Sequence, residues 1–591
     1  MLRATVRLLL INPKFPESFW SFSWALDKVT RDKKAVNSPL GLATLAALTP
    51  SHWEITIVDE NVEPIDWSAE ADIVGVCGMG VQVPRQQEIL EHFKKRGIYV
   101  VAGGSYTSLC PEEYTGLVDT VVAGEAEFIW PQFCADFEAG HPQPLYHETG
   151  EVDMTVSPPP RYDLLKTDLY QKVSLQFSRG CPFRCEFCDI IVMFGRKPRT
   201  KTVEQVGREL DLLRERGVTS VFFVDDNLIG HISNAKKLLA FLADYQERHN
   251  YRFSFGTEAS INMADDPELM SLFQKANFEW VFIGIETPNE AGLKETLKKQ
   301  NLRSDLLTSV RTIYSYGIDI FAGFIVGFDA DDQTIFDRQF DFIVASGITV
   351  SMVGLLNALP KTPLYERLEK AGRLRAMGIS DNTRPQTNVI PLQMSYEELV
   401  AGFEALHRRL GQDRFVSQRI INKLRYMKNP LTSPHYSWGQ KLAYGLRLVT
   451  HGLLPGGLTR IYHFLRSTLP VVTRPKALAV VLTDWIAALS LTNFRLRHFE
   501  RTTSAVETTF QRIQARISRV LRHLDGISLQ KTHEGLVLDC RALRESSVHQ
   551  LRTLLKKLQR YRHQVYIQIP EALYQRLRDE LVPFQYTLVA A

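Results

Sequence analysis

SRGCPFRCEFCDI, residues 178–190, sets Cys181, Cys185 and Cys188 in the spacing C-x3-C-x2-C, three of the chain's seven cysteines within eight positions. Cysteines this close, between Gly180 and an apolar segment, are rarely packing residues. Structural zinc wants four nitrogen or sulfur ligands. Cys77, Cys110, Cys134 and Cys540 are far along the chain, and nothing pairs His231 with the loop. A cubane iron–sulfur cluster takes one thiolate per iron, normally four. Three thiolates leave one iron open to another ligand, so a [4Fe-4S] cluster fits the spacing better than zinc. Pro182 and Phe183 help turn the loop, and Phe187 shields what it holds.

The loop follows the first of six strand signals, at 173–178, 219–224, 252–257, 280–285, 319–326 and 349–355. Helical periodicity fills the intervals near 203–216, 233–248, 266–276, 303–316 and 331–346. Six strand–helix steps predict a (β/α)6 partial TIM barrel over 171–394, and barrels gather their chemistry in the loops after the strands.

Upstream, residues 1–140 alternate in the same way. VRLLLIN (6–12), EITIVDE (54–60), DIVGVCG (72–78), YVVAGG (99–104) and DTVVAG (119–124) read as short buried strands. SPLGLATLAALTP (38–50) and QVPRQQEILEHFKKRG (82–97) read as helices, the second closed by Gly97. This predicts an α/β, doubly wound parallel sheet, whose ligands lie beyond the carboxyl ends of the strands. Gly75, Gly78, Gly80, Gly103, Gly104 and Gly124 fall at those ends, where a missing side chain lets a ligand approach the backbone; ordinary turns are the alternative reading. Residues 141–170, with TVSPPPRYDLL, read as a Pro-rich linker.

Downstream of about 395 the strand signals stop. Residues 395–527 read as a basic helical domain: over 401–530 there are 20 Lys and Arg against 6 Asp and Glu, or +14, in a chain of net charge +4. The remainder therefore carries 4 − 14 = −10. A basic segment on an acidic body suits an anionic surface, with a solvated helical exterior as the alternative. No stripe of interleaved aromatics argues for specific nucleic acid. ALAVVLTDWIAALSL (477–491) is apolar but contains Asp484 and is too short to span a membrane, so no spanning helix is expected. Residues 528–591 read strand–strand–helix–strand–helix, a small α/β unit loosely similar to STAS interaction domains. The odd, scattered cysteines suit a reducing cytoplasm better than a disulfide framework.

The loop C-x3-C-x-aromatic-C after a first barrel strand resembles the signature of radical S-adenosylmethionine enzymes, and further matches run across 171–370. FVDDN (223–227) ends the second strand, where the resemblance implies that Asp225, Asp226 and Asn227 face the methionine end of S-adenosylmethionine. TEAS (257–260) and GIETP (284–288) put Glu258 and Glu286 where ribose and sulfonium contacts are expected. GFIVGF (323–328) resembles the strand whose backbone, with Gly323 and Gly327, meets the adenine. LPKTPLY (359–365) is similar to the LPGTPLY that closes many such barrels, with Lys361 in place of Gly. The resemblance implies a cluster on Cys181, Cys185 and Cys188 that cleaves S-adenosylmethionine to a 5′-deoxyadenosyl radical, and an electron donor such as flavodoxin or ferredoxin.

A doubly wound domain ahead of such a barrel resembles the cobalamin-binding subclass. VVAGGSYTSLCPEEY and VVAGEAE are similar to its nucleotide-side loops, which implies cobalamin near Gly78, Gly103, Gly104 and Gly124; the DxHxxG motif of a lower axial histidine is absent. Within that subclass, residues 185–202 and the helices after 395 resemble the group of the hopanoid 2-methylases. The implied activity is radical methyl transfer to an unactivated carbon, of a hopanoid or another polycyclic lipid or small molecule. Arg196, Lys197, Arg199 and Lys201 are candidate seats for cofactor carboxylate and phosphate groups, with a solvated loop as the alternative. A lipid substrate would make 401–530 a dock for a peripheral, cytoplasmic protein at the membrane surface. The competing readings are a cobalamin-assisted rearrangement, cyclisation or oxidation, and a non-enzymatic iron–sulfur sensor or scaffold.

Overall fold

The computed structural model describes residues 5–250, 253–375, 381–431, 436–499, 528–532, 535–540, 551, 555, 565–569 and 587–590. It divides into two units, Met1–Phe494 and Arg495–Ala591.

In the first unit the strands in chain order are β1 (Arg7–Asn12), β2 (Ala35–Asn37), β3 (Glu54–Asp59), β4 (Ile73–Cys77), β5 (Tyr99–Gly103), β6 (Thr120–Ala123), β7 (Leu145–His147), β8 (Tyr170–Leu175), β9 (Ser220–Phe223), β10 (Ser254–Glu258), β11 (Phe278–Glu286), β12 (Asp319–Val326) and β13 (Val350–Leu355). The first sheet runs β3-β1-β4-β5-β6-β7, parallel throughout. Leu9 and Ile11 of β1 pack on Ile89, Leu90 and Phe93 of helix Val83–Lys95. Leu8 and Leu10 alternate to the opposite face. Helices Leu40–Leu48 and Ala126–Glu138 pack together, with the buried Trp130 indole donating to Thr49 Oγ1 at 2.9 Å. The strand order reverses between β1 and β4, which makes a crevice beyond their carboxyl ends.

The second sheet runs β13-β12-β11-β10-β9-β8-β2, again parallel. Strands β8 to β13 follow chain order, as a barrel requires, and the sheet stays open. Its helices bury one stripe each. Helix Val203–Glu215 starts at a Thr202/Gln205 capping box, and Leu210 and Leu213 are buried.

Three features depart from the sequence reading. β2, from the upstream region, pairs with β8 and so belongs to the second sheet. The Pro-rich stretch is not a loose connection: β7 adds a sixth strand to the first sheet, and Tyr146, Val152, Met154 and Tyr162 are buried. The apolar downstream helix is Pro475–His498, 24 residues, long and apolar enough by length and composition to cross a membrane. Its Val481, Trp485, Ala488 and Leu489 are buried against Trp24, Val29, Val416 and Ile420, so it packs as a core helix.

In the second unit, β14 (Ser528–Thr532) pairs antiparallel with β15 (Gly535–Asp539), which is followed in the sheet by parallel β16 (Val565–Ile569) and β17 (Thr587–Ala590). Of the two helices expected there, only Leu551 and Leu555 of the first, both helical and buried, are among the described residues.

Candidate functional site

The cysteine loop leaves the carboxyl end of β8 and is held from several sides. Gly180 has φ 88° and its α-carbon faces the carbonyls of Phe194, Gly195 and Lys197, so a side chain has neither the conformation nor the room. The Asp225 carboxylate, beyond β9, accepts from Phe177 N–H at 2.8 Å, Ser178 N–H at 2.7 Å and the Ser178 hydroxyl at 2.6 Å. Asp226 accepts from Gly180 N–H at 2.9 Å. Asn227 Nδ2 lies 3.9 Å from Cys181 Sγ and donates to Ser260 Oγ at 3.2 Å. On the far side Glu186 N–H donates to Thr296 O, and the Glu186 carboxylate takes two bonds from Arg367, at 2.6 and 3.1 Å.

Three ion pairs join this loop and the segment after it to the first-sheet side. Arg179 pairs with Glu125 at 2.7 Å and Glu127 at 2.8 Å, and Arg199 pairs with Glu125 at 2.7 Å. The VVAGEAE loop thus spends its acids on the cysteine loop rather than on a nucleotide. Arg199 and Lys201 are also withdrawn as phosphate seats, because Lys201 is buried on Glu209 at 2.5 Å. Arg196 and Lys197 remain exposed. His231 caps a helix through its Nδ1, which accepts from Asn234 N–H.

None of the three loop cysteines is in a disulfide. Burial raises the pKa of Cys181 and of Cys188, where Asp189 adds to the effect, so a bound cation is needed to favour their thiolates. Among the described residues no three His, Cys, Asp or Glu gather closely enough to hold a single metal ion. Three thiols on one loop suit a cubane, which takes one sulfur at each iron. Gln300 Nε2 lies 3.8 Å from Cys185 Sγ, and its Oε1 is buried without a partner. The Asn357 Oδ1, just past β13, is likewise orphaned. The donor set and these unspent acceptors fit a cluster and a polar ligand at the strand ends.

The strand-end acids divide into three kinds. Asp225 and Asp226 serve the loop backbone, and burial lifts them to about 7 and about 6 despite their bonds. The Glu258 carboxylate, ending β10, has no hydrogen-bond partner among the described residues, although the Glu258 carbonyl accepts from Leu228 N–H at 3.0 Å. Burial, with Asp226 and Asp225 nearby, lifts it to about 8. Glu286 is not open as the sequence suggested, for it pairs with the buried Lys298 at 2.6 Å. The register shifts between Gly284 and Glu286, and Glu286 takes φ 62°. That bulge aims it at Lys298. The Lys298 ammonium is held charged: burial opposes it, but Glu286 and the Cys185 side outweigh burial.

The glycines were expected at open ligand faces, and most have reasons inside the chain. A side chain on Gly104, φ 108°, would strike Gly78, and one on Gly124, φ 99°, would strike Glu148. Gly78 faces Gln86, Gly323 faces Phe282 at 3.0 Å, and Gly327 N–H is spent on Asp331. Of the four glycines expected beside cobalamin, Gly78, Gly103, Gly104 and Gly124, only Gly103 has room for a Cβ, its nearest neighbour being Val122 O at 3.6 Å. Lys361 holds the left-handed φ 65° that favours glycine, at a cost of about 1 kcal/mol. Its ammonium pairs with Glu112 of the first-sheet side at 2.7 Å.

Sequence reasoning missed Lys298, Gln300, Arg179 and the Glu125–Glu127 pair. Lys298 lies in ETLKKQN, which reads as a solvated helix end, and no spacing there signals a partner across the sheet.

The Radical SAM superfamily matches residues 175–337, and a domain of unknown function, DUF4070, matches 362–504. An uncharacterized methyltransferase of Synechocystis is 44% identical over 376 residues, 62% of this chain and 69% of the relative. The hopanoid C-2 methylase of Rhodopseudomonas palustris is 36% identical over 420 residues, 70% of this chain and 78% of the relative. Among solved structures, the radical S-adenosylmethionine methyltransferase TsrM of Kitasatospora setae, with cobalamin and a [4Fe-4S] cluster bound, aligns at TM-score 0.51. It shares 18% identity, with 83% of this chain and 99% of that chain covered.

Proposed function

The chain belongs to the radical S-adenosylmethionine methyltransferases related to the hopanoid C-2 methylase, and on that premise we propose that it methylates an unactivated carbon of a hopanoid or another polycyclic lipid, with cobalamin as second cofactor. The observation that carries the reading is three cysteines on one strand-end loop near a carboxyl group, Glu258, that no side chain or backbone group among the described residues satisfies. When bound, the cluster would supply the electron that cleaves S-adenosylmethionine, and cobalamin would carry the methyl group.

The chain's own residues then have distinct tasks. Asp225, Asp226 and Asn227 position the cysteine loop, with Asn227 beside Cys181. Glu258 stands where a sulfonium or ammonium would relieve its burial and complete its charge. Lys298 neutralises Glu286 and places a positive charge on the thiolate side, which favours an anionic cluster.

Cobalamin is supported by the first sheet. Its strand order, counted within that sheet, is 2-1-3-4-5-6, the flavodoxin-like winding, whose ligand crevice lies at the reversal. Gly103, at the end of β5, is not crowded by its neighbours, a Cβ there meeting only Val122 O at 3.6 Å. An apolar substrate is supported by the second sheet. Trp280 stacks on Phe222 and Phe321, with centroids 5.3 and 4.7 Å apart, and Trp20 packs on Phe282 at 5.2 Å. On β11 the fully buried Val281, Ile283 and Ile285 alternate with half-buried Trp280, Phe282 and Gly284. The aromatic set therefore faces away from the helices, below the polar strand ends. A ferredoxin or flavodoxin completes the reading as electron donor.

Anaerobic reconstitution with iron, sulfide and cobalamin, followed by mass spectrometry of product, tests the proposal. The expected result is release of 5′-deoxyadenosine and a one-methyl gain on a polycyclic lipid, both abolished by C185A. Cleavage with product of unchanged carbon count would replace methyl transfer by rearrangement.

A further inference from the structure

Between Arg414 and Thr483 the chain has no acidic residue in seventy positions and eleven Lys or Arg. The middle of that span is two helices, Trp438–Arg447 and Gly457–Thr468, joined through Leu448–Gly456. Their inner faces are accounted for: Tyr444, Leu448, Leu453 and Phe464 pack into the core that holds Trp485. Their outer faces are not. Trp438, Leu442 and Leu446, at helical spacing, are 87%, 75% and 63% exposed. On the second helix Leu458 and Tyr462 are 85% and 64% exposed, and Leu469 continues the same row. Ten of the 23 large apolar side chains exposed among the described residues lie between Trp438 and Val472. Large apolar side chains exposed in such number over one short stretch mark interaction sites.

The charges around the patch decide the partner. Arg447 and Arg460 are spent inside, on Val29 O and on Asp413. Lys441, Arg466, Arg474 and Lys476 are exposed. Exposed Asp32 accepts from the Tyr444 hydroxyl at 3.1 Å beside the first helix, but the two helices and their link carry no acid of their own, whereas a protein partner would ordinarily be met by both signs. Apolar rows carrying a Trp and a Tyr, on helices whose own charges are all cations, are what an interfacial helix presents to anionic lipid.

We propose that Trp438–Val472 is a membrane-docking surface, which inserts its apolar rows among the acyl chains of an anionic phospholipid leaflet while Lys441, Arg474 and Lys476 meet the headgroups. This is a surface contact, distinct from a spanning helix: the apolar helix Pro475–His498 stays in the core. It rests on the exposed rows and not on the methyl-transfer reading, since neither cofactor is needed for it.

The test is sedimentation of the full chain with phosphatidylglycerol–phosphatidylcholine vesicles and with pure phosphatidylcholine vesicles. The chain should pellet with the first, weakly with the second, and lose binding as salt rises. Brominated acyl chains should quench its tryptophan fluorescence. W438S/L442S/L458S should lower the bound fraction roughly tenfold or more with an unchanged thermal melt, because the three side chains touch water in the free protein. K441E/R474E/K476E should abolish the preference for phosphatidylglycerol. Absence of wild-type binding, or equal binding by both triple variants, would overturn the proposal. So would a wild-type dimer, blind to vesicles, that W438S/L442S/L458S converts to monomer, for the surface would then be covered by a second copy.

Discussion

Asp225 and Glu258 end neighbouring strands and carry the same chemical group, yet their surroundings assign them different work. Asp225 accepts three hydrogen bonds from the base of the cysteine loop; the Glu258 carboxylate accepts none among the described residues. D225A should therefore lower iron bound per chain after reconstitution. E258Q should keep its iron and lose affinity for S-adenosylmethionine roughly tenfold or more, a charged contact being worth about 1.5–3 kcal/mol. Iron analysis and ligand titration on both variants separate the two roles. The pH dependence of stability distinguishes them further. The unfolded chain releases the Glu258 proton near the ordinary carboxylate value, while the folded chain holds it to about 8. Between those values the folded state binds more protons, so this group's contribution to stability falls as pH rises. E258Q removes that fall, and the ligand-free variant should melt above wild type at pH 8 and level with it near pH 4. The strand-end acids were legible as a set from their repetition after successive strands. Their division was not, because it depends on which backbone N–H groups the folded loop turns toward each carboxylate. Lys298 was illegible for a related reason: its partner Glu286 is reached only through a bulge that no spacing announces.

At the scale of elements, the loop after β6 and the loop after β8 form one electrostatic unit. Arg179, Arg199, Glu125 and Glu127 are nearly removed from water there. E127A removes one of the two carboxylates on Arg179 in a buried setting and leaves it Glu125 and Gln176, which should cost about 2–3 kcal/mol. E127Q, which keeps a carbonyl acceptor, should cost less. If the unit positions the cluster loop as well as stabilising it, E127A should also shed iron faster under chelator at a temperature where it remains folded. Chelator-release rates beside circular-dichroism melts read both effects. The long strands and helices around these loops were legible to within a few residues, since runs such as VRLLLIN and the 3.6-residue stripe of Val203–Glu215 carry their own signal. β2 and β7 were not. Each is three residues at a sheet edge, too short to show a period, and each exists because a neighbouring strand offers unpaired backbone groups.

At the scale of the molecule, the question that composition alone could not decide is where the apolar helix Pro475–His498 goes, and one buried triad decides it. Lys423 Nζ lies 2.6 Å from Asp319 at the start of β12 and 2.8 Å from Asp484 in the middle of that helix. Lys423 and Asp484 are almost wholly buried. Burial pushes the Asp484 carboxyl up, and Lys423 opposes it. The Asp that seemed only to interrupt an apolar run is thus the pin that fastens the helix to the barrel. K423M removes the shared cation and leaves two carboxylates facing one another in the core, at an expected cost of about 3–5 kcal/mol. K423M/D484L should recover most of that loss, because the remaining Asp319 is partly exposed and an apolar pair fills the gap. Denaturant melts of the two variants check the order, K423M far below wild type and the double variant close to it. A helix that crossed a bilayer would give the opposite pattern: K423M would be nearly silent, and D484L alone would drive the chain into the carbonate-resistant membrane fraction.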